Sequence, residues 1–196
     1  MLTRRHCLAF IIAISGTAAA DVTRPPDDTA AELRRFLEDM IAGSDSFQDR
    51  YAAEVWLVDM SSRLSPFVTS EEQRLQLLNL IHRAALRSEL SPELVLAVIE
   101  VESAFNRFAV SRAGAQGLMQ VMPFWRREIG RPNDNLTDNA TNLDYGCRIL
   151  QFYIDREDGD LHRALAAYNG SSGSRRYSNK VYRVWQERWR TGPLPW

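Results

Sequence analysis

Between Ala30 and Ile41 the apolar residues Leu33, Phe36, Leu37, Met40 and Ile41 recur three and four apart. That spacing puts them on one helix face, and Gly43-Ser44-Asp45 ends the run. A second helix is predicted over Gln48 to Leu64, with Tyr51, Val55 and Val58 on its apolar side, Trp56 and Met60 beside them, and Ser65-Pro66 closing it. Ser70 with Gln73 forms a capping box ahead of Leu75, Leu77, Leu78, Leu80, Ile81 and Ala85, a helix reaching about Ser88. Ser91-Pro92-Glu93 opens the next, over Pro92 to Ser103: an N-cap serine, a proline whose missing N–H costs nothing there, and an acid that suits the positive helix end. From Ala104 to Met122 the periodicity fails around Gly114 and Gly117, and a loop with tiny strands is expected. Helical patterns return at Phe124 to Ile129, Asn139 to Arg156, Leu161 to Ala167 and Ser178 to Arg190, the last carrying Arg183, Trp185 and Trp189 as a docking aromatic face. The predicted fold class is mainly α with little or no β-structure, preceded by an N-terminal helical extension.

The first twenty residues follow a different rule. Arg4 and Arg5 precede an apolar run from Cys7 to Ile14, and Ala18-Ala19-Ala20 offers an A-x-A cleavage site, the three-part pattern of a secretory signal peptide. The run is far short of the ~20 residues a membrane-spanning helix needs. Cys7 follows His6 rather than small residues, so no lipid anchor is expected, and Thr3-Arg4-Arg5 hints at twin-arginine export. Asp21 to Thr29, with Pro25 and Pro26, reads as an extended polar leader.

Composition changes this picture only by exclusion. The 196 residues fit one compact domain, and 45% hydrophobic with 25% charged residues is an ordinary globular balance. Cleavage after Ala20 would remove two arginines and no acid, leaving 22 basic against 25 acidic residues; nucleic acid is therefore not an expected partner. Only Cys147 would remain, in apolar surroundings, as a packed core thiol. His82 and His162 lie among leucines on helix patterns, and with a single cysteine they supply no zinc ligand set. Gly170-Ser171-Ser172-Gly173-Ser174 misses the G-x-S-x-G elbow, and no phosphate-cradling glycine loop occurs.

One carboxylate stands out on the helix from Pro92. With Leu94 at the origin and ~100° per residue, Val98, Val95 and Ile99 fall at about 40°, 100° and 140°, and Glu102 at about 80° lies inside that apolar stripe. Glu93 and Glu100 fall at about 260° and 240°, on the face expected to be solvated. Burial and the negative helix end both disfavour a charged Glu102, raising its pKa toward what a general acid needs. The competing reading is a core glutamate held by a hydrogen bond or by Arg107 or Arg112, and the wheel does not choose between them.

Three segments, Glu102-Ser103-Ala104-Phe105-Asn106, Ser111-Arg112-Ala113-Gly114-Ala115-Gln116-Gly117-Leu118-Met119-Gln120 and Ala167-Tyr168-Asn169-Gly170, together resemble the catalytic domain of the soluble lytic transglycosylase (SLT) family, over about Leu86 to Tyr182. The resemblance implies a lysozyme-like helical domain that cleaves the glycan strands of bacterial peptidoglycan. It further implies Glu102 as sole acid and base, Ser103 orienting it, and Tyr168 hydrogen-bonded to its carboxyl. Ser111, Gln120 and Asn169 would meet the sugar. Two departures stand out: Arg112 replaces the usual proline, which alters groove charge, and Gly170-Ser171 replaces Ala-Gly, which could loosen the loop after Tyr168.

Glycosidases ordinarily use two carboxyls, and no second acid here has a motif around it; Glu128, Asp134, Asp138 and Asp144 read as caps or solvated residues. The resemblance implies instead that Glu102 protonates the glycosidic oxygen of a MurNAc-GlcNAc β-1,4 bond. It then deprotonates the C6 hydroxyl of the same muramyl residue, giving a 1,6-anhydroMurNAc end without a cofactor. Tyr145, Phe105, Tyr153 and Trp125 remain open between core and sugar-stacking roles. The expected organisation is a signal peptide over 1–20, a leader and helical extension over 21–85, the catalytic domain over 86–190 and a tail over 191–196. The product would be a periplasmic or secreted monomer acting on peptidoglycan, alone or with cell-wall or secretion assemblies. A goose-type lysozyme-like hydrolase and a non-catalytic peptidoglycan-binding protein are the alternatives.

Overall fold

A computed structural model describes residues 50–191; the signal-peptide pattern, the leader, the Ala30 to Ile41 helix and the residues after Thr191 lie outside them. The described chain is helical: α1 (Arg50–Leu64), α2 (Glu71–Arg87), α3 (Pro92–Ser103), α4 (Trp125–Ile129), α5 (Asn139–Arg156), α6 (Leu161–Tyr168) and α7 (Arg176–Val184), followed by a π-helical turn at Trp185–Trp189. Extended structure among these residues is confined to two isolated bridges, Val110 with Gln116 and Gln116 with Val121, in the segment expected to be loop.

The caps form as the sequence suggests. Ser70 accepts from the Gln73 N–H at 3.3 Å, Ser91 from Leu94 at 3.3 Å, Asp138 from Thr141 at 2.9 Å and Asp160 from Arg163 at 3.0 Å, each satisfying a donor the first turn leaves open. Helix α3 is the axis of the fold. Its residues Leu94 to Ile99 are all buried, because α2, α7 and the π-turn pack around it, and a helix apolar on every side is stable only when enclosed.

That enclosure corrects the expectation that Glu93 and Glu100 face water. Trp56 of α1 donates its indole N–H to Glu93 at 2.7 Å, and Trp189 donates to Glu100 at 2.8 Å with the Arg188 guanidinium 3.1 Å away. Both carboxylates fasten neighbouring helices to α3, using indole donors that burial obliges to find acceptors. The apolar side of α1 is also different from the one expected. Ala53, Leu57, Met60 and Leu64 are buried while Val55 and Val58 are 53% and 55% exposed, since the stripe with the larger side chains turns toward α2. The last helix begins two residues earlier than expected and widens at Trp185, where the Arg190 N–H reaches the Trp185 carbonyl at 2.9 Å. Arg63 ties this end back to α1, paired with Asp59 and donating to the carbonyls of Arg188 and Arg190.

The loop between α3 and α4 is fixed by side chains rather than by a sheet. Asn142 of α5, buried, accepts from the Met119 N–H and donates to the carbonyls of Gln116 and Leu136, all at 2.8 Å. Gly117 sits at φ +78° where a Cβ would collide with the Asn142 amide and the Leu136 carbonyl, so the approach requires glycine. Asn142→Ala leaves the Met119 N–H and the Leu136 carbonyl unpaired at ~1–3 kcal/mol each, while the Gln116 carbonyl keeps the Val121 N–H; a loss of ~2 kcal/mol or more in urea-unfolding stability is expected, and a loss below ~1 kcal/mol would contradict this role.

Candidate active site

The loop segment after Gly117 is held on three consecutive backbone groups by three helices. Ser103, at the end of α3, donates its hydroxyl to the Leu118 carbonyl at 2.8 Å and to Ile99 at 3.2 Å. Asn142 of α5 takes the Met119 N–H, and Tyr168, the last residue of α6, donates to the Met119 carbonyl at 2.8 Å. Gln120 follows at φ +50°, with its side-chain amide donating to the carbonyls of Gly117 at 2.9 Å and Ala109 at 3.2 Å. Left-handed non-glycine residues cost about 1–3 kcal/mol and collect at functional sites; Ala104 and Phe105, at φ +47° and +63°, occupy the same region directly after α3.

This frame forms one wall of a cavity of about 250 Å3. Glu102, Gln120, Trp125, Tyr168 and Asn169 line it, with Ser111 at its rim, where the Ser111 hydroxyl accepts from the Ala115 N–H at 3.0 Å. Glu102 is the only carboxyl among the lining residues. The other acids weighed from the sequence are engaged elsewhere. Asp134 accepts from Tyr145 and from the Arg131 N–H, Asp138 caps α5, Asp144 pairs with Arg87 and Arg148, and Glu128 lies exposed on α4.

Glu102 accepts a hydrogen bond of 2.6 Å from the Tyr177 hydroxyl. This corrects the expectation for Tyr168, whose hydroxyl is committed to Met119 and so holds the loop instead of the carboxyl. Ser103 likewise fixes the end of α3 and makes no bond to Glu102. Tyr145 is not part of the cavity: it is buried, donating to Asp134 at 2.6 Å and accepting from Arg131 at 3.2 Å. Phe105 packs in the core between Phe67 and Trp189, and Tyr153 stacks under Arg156. Of the four aromatic candidates only Trp125 reaches the cavity.

Burial pushes the Glu102 carboxyl above its ordinary pKa; the Tyr177 hydrogen bond and the Lys180 charge oppose this without reversing it. Burial also raises the hydroxyls of Tyr168 and Tyr177 well above the usual phenol value, reinforced by the Glu102 charge, so both remain protonated donors. Cys147 is pushed up to about 12 by burial and is inert as a nucleophile. The arrangement is a half-buried acid beside an open cleft, able to give up a proton and take one back.

A transglycosylase SLT domain model matches residues 79–189, more than half of the chain and all of the frame just described. The chain belongs to the transglycosylase SLT domain family. Among its relatives, the transglycosylase of Enterobacteria phage PRD1 is 35% identical over 101 residues, covering 52% of this chain and 37% of the relative. Membrane-bound lytic murein transglycosylase C of Photorhabdus laumondii is 33% identical over 113 residues, 50% of this chain and 32% of the relative. This chain thus spans only about a third of the length of those relatives. Two solved structures align partially. The lytic transglycosylase Slt of Pseudomonas aeruginosa, in an inactive mutant form, gives a TM-score of 0.43 at 30% identity over 54% of this chain and 19% of that chain. The 70 kDa soluble lytic transglycosylase of Escherichia coli gives 0.45 at 22%, over 80% and 24%.

The raised Glu102 pKa fixes a sign for stability. An acid whose folded pKa exceeds its unfolded value stabilises the fold only while protonated. That contribution is complete below the unfolded pKa and is lost as pH climbs to the raised folded one. Glu102→Gln removes the cost of ionisation, so its melting temperature relative to the native SLT protein is expected to rise from pH 4 to pH 8. A constant or falling difference would contradict a desolvated carboxyl.

Proposed function

We propose that the protein is an exported lytic transglycosylase that cleaves the MurNAc-GlcNAc β-1,4 bond of peptidoglycan with Glu102 as its single acid and base. The observation that carries this reading is a cleft with one carboxyl, half-buried and hydrogen-bonded by Tyr177. A two-carboxyl glycosidase needs a second acid ~5–9.5 Å away, and the cleft lining offers none. Membership of the SLT family and the names of its relatives support the same chemistry.

In this mechanism the protonated Glu102 gives its proton to the bridging oxygen as the bond to the anomeric carbon breaks. The carboxylate so formed is stabilised by the Tyr177 hydroxyl and by Lys180. It then takes the proton of the muramyl C6 hydroxyl as that oxygen closes on the anomeric carbon, restoring the acid and forming a 1,6-anhydro ring. The nucleophile belongs to the substrate, so a high effective molarity replaces a positioned water. Gln120, Ser111 and Asn169 supply polar groups for the sugar, and Trp125 a ring face for it to stack on. The signal-peptide pattern supports a periplasmic or secreted location, and among the described residues no helix is long and apolar enough to cross a membrane.

Mass spectrometry of muropeptides released from purified sacculi tests substrate and reaction together. Anhydromuramyl ends, lighter by one water than reducing ends, are expected; reducing ends alone would indicate a hydrolase. Glu102→Gln is expected to lower release ~100-fold or more, the scale of lost general acid catalysis, and native-level release by this variant would refute the assignment. Tyr177→Phe removes one hydrogen bond to a charged group, ~1.5–3 kcal/mol, and is expected to lower kcat ~10–100-fold with little change in KM.

A further inference from the structure

Tyr177, the donor to Glu102, stands at the end of a weakly held stretch of chain. The loop from α6 to α7 carries Gly170 and Gly173 at positive φ, and Ser172 to Arg176 are all exposed. The N-cap residue of α7, Arg175, gives the helix no side-chain bond, and the Arg176 N–H reaches only the exposed Ser174 hydroxyl, at 3.3 Å. Tyr177 and Ser178 are thus the first residues after the loop to turn inward, Ser178 being fully buried. The Ser178 hydroxyl donates to the Arg175 carbonyl at 3.2 Å and lies 3.0 Å from Nδ1 of His162. One turn further along α7, the Tyr182 ring stacks on the same imidazole, with centroids 4.3 Å apart and planes 19° from parallel. His162 itself sits on a fixed support, since α6 is capped by Asp160 at its start and tied to Met119 by Tyr168 at its end.

We propose that His162 is a positioning residue, whose bond to Ser178 holds the first turn of α7 so that Tyr177 meets Glu102. The imidazole carries the placement of α6 over to a helix start that the preceding loop leaves loose. A buried serine hydroxyl that lost this partner would be free to turn or to draw in water, and the neighbouring phenol would lose its fixed approach to the carboxyl. The kinetic consequence rests on the transglycosylase reading; the consequence for the ionisation of Glu102 does not.

The test combines a carbon-13 NMR titration of Glu102 with rates of muropeptide release from purified sacculi. His162→Phe keeps a flat ring against Tyr182 and loses the nitrogen that faces Ser178, whereas His162→Asn gives up the ring and keeps a polar atom near the place of Nδ1. His162→Phe is expected to raise the Glu102 midpoint, in the same direction as Tyr177→Phe but by less. It is expected to lower kcat about two- to tenfold with KM unchanged, the range for one neutral hydrogen bond. Ser178→Ala, which removes the same bond with a smaller change, carries the same expectation, and His162→Asn is expected to recover most of both losses. Added to Tyr177→Phe, the His162→Phe change is expected to move neither midpoint nor kcat further, because the group it positions is gone; a purely structural residue would add its full effect. A Glu102 midpoint unmoved in both His162→Phe and Ser178→Ala overturns the proposal, as does an effect as large in the Tyr177→Phe background as alone. A midpoint that moves in a protein releasing no anhydromuramyl product refutes the transglycosylase reading and leaves the positioning role standing.

Discussion

The hydrogen bond from Tyr177 to Glu102 joins the end of α3 to the start of α7, 75 residues apart in sequence. It exists only because the helices between them fold back. Asp160 starts α6, Tyr168 ends it against Met119, and α7 packs on both α3 and α6. The bond places a carboxyl where water is partly excluded while giving its ionised form one strong donor. Those two influences oppose each other: burial raises the pKa, the phenol lowers it, and burial prevails. A group balanced in this way can lose a proton to a poor leaving group and still exist as a carboxylate long enough to act as base.

The cleft wall depends on a different device. Loop backbones are usually kept on the surface because their polar groups need partners. Here Leu118 and Met119 are buried, and the Leu118 carbonyl and the Met119 N–H and carbonyl are each met by a side chain. Ser103, Asn142 and Tyr168 come from three helices and converge on adjacent peptide groups. Residues that in sequence look like catalytic auxiliaries therefore act by shaping the wall. Tyr168 is the clearest case, since it borders the cavity while donating its hydroxyl to the Met119 carbonyl.

Much of this was legible in the chain itself. The caps at Ser70 and Ser91 and the helical pattern of α2, α3 and α5 are local, and local chemistry decided them. Glu102 was legible because a charged residue in an apolar stripe is anomalous on its own helix. What failed to show was anything set by a remote partner. Tyr177 stood just outside the helix predicted from Ser178, although it shares the stripe of Val181 and Val184, and a buried phenol and a buried carboxyl each in need of a partner was the available signal. Glu93 and Glu100 looked solvated because a helical wheel has no knowledge of the indoles that cover them.

The central claim is that partial burial raises the Glu102 pKa above the ordinary glutamate range while a single phenol opposes that rise. A pH titration of the Glu102 side chain by carbon-13 NMR reads this directly. The account predicts a midpoint above the ordinary glutamate range that rises further in Tyr177→Phe, because the hydrogen bond that favours the charged form is gone. A midpoint at or below the ordinary value, or one indifferent to Tyr177, would contradict it.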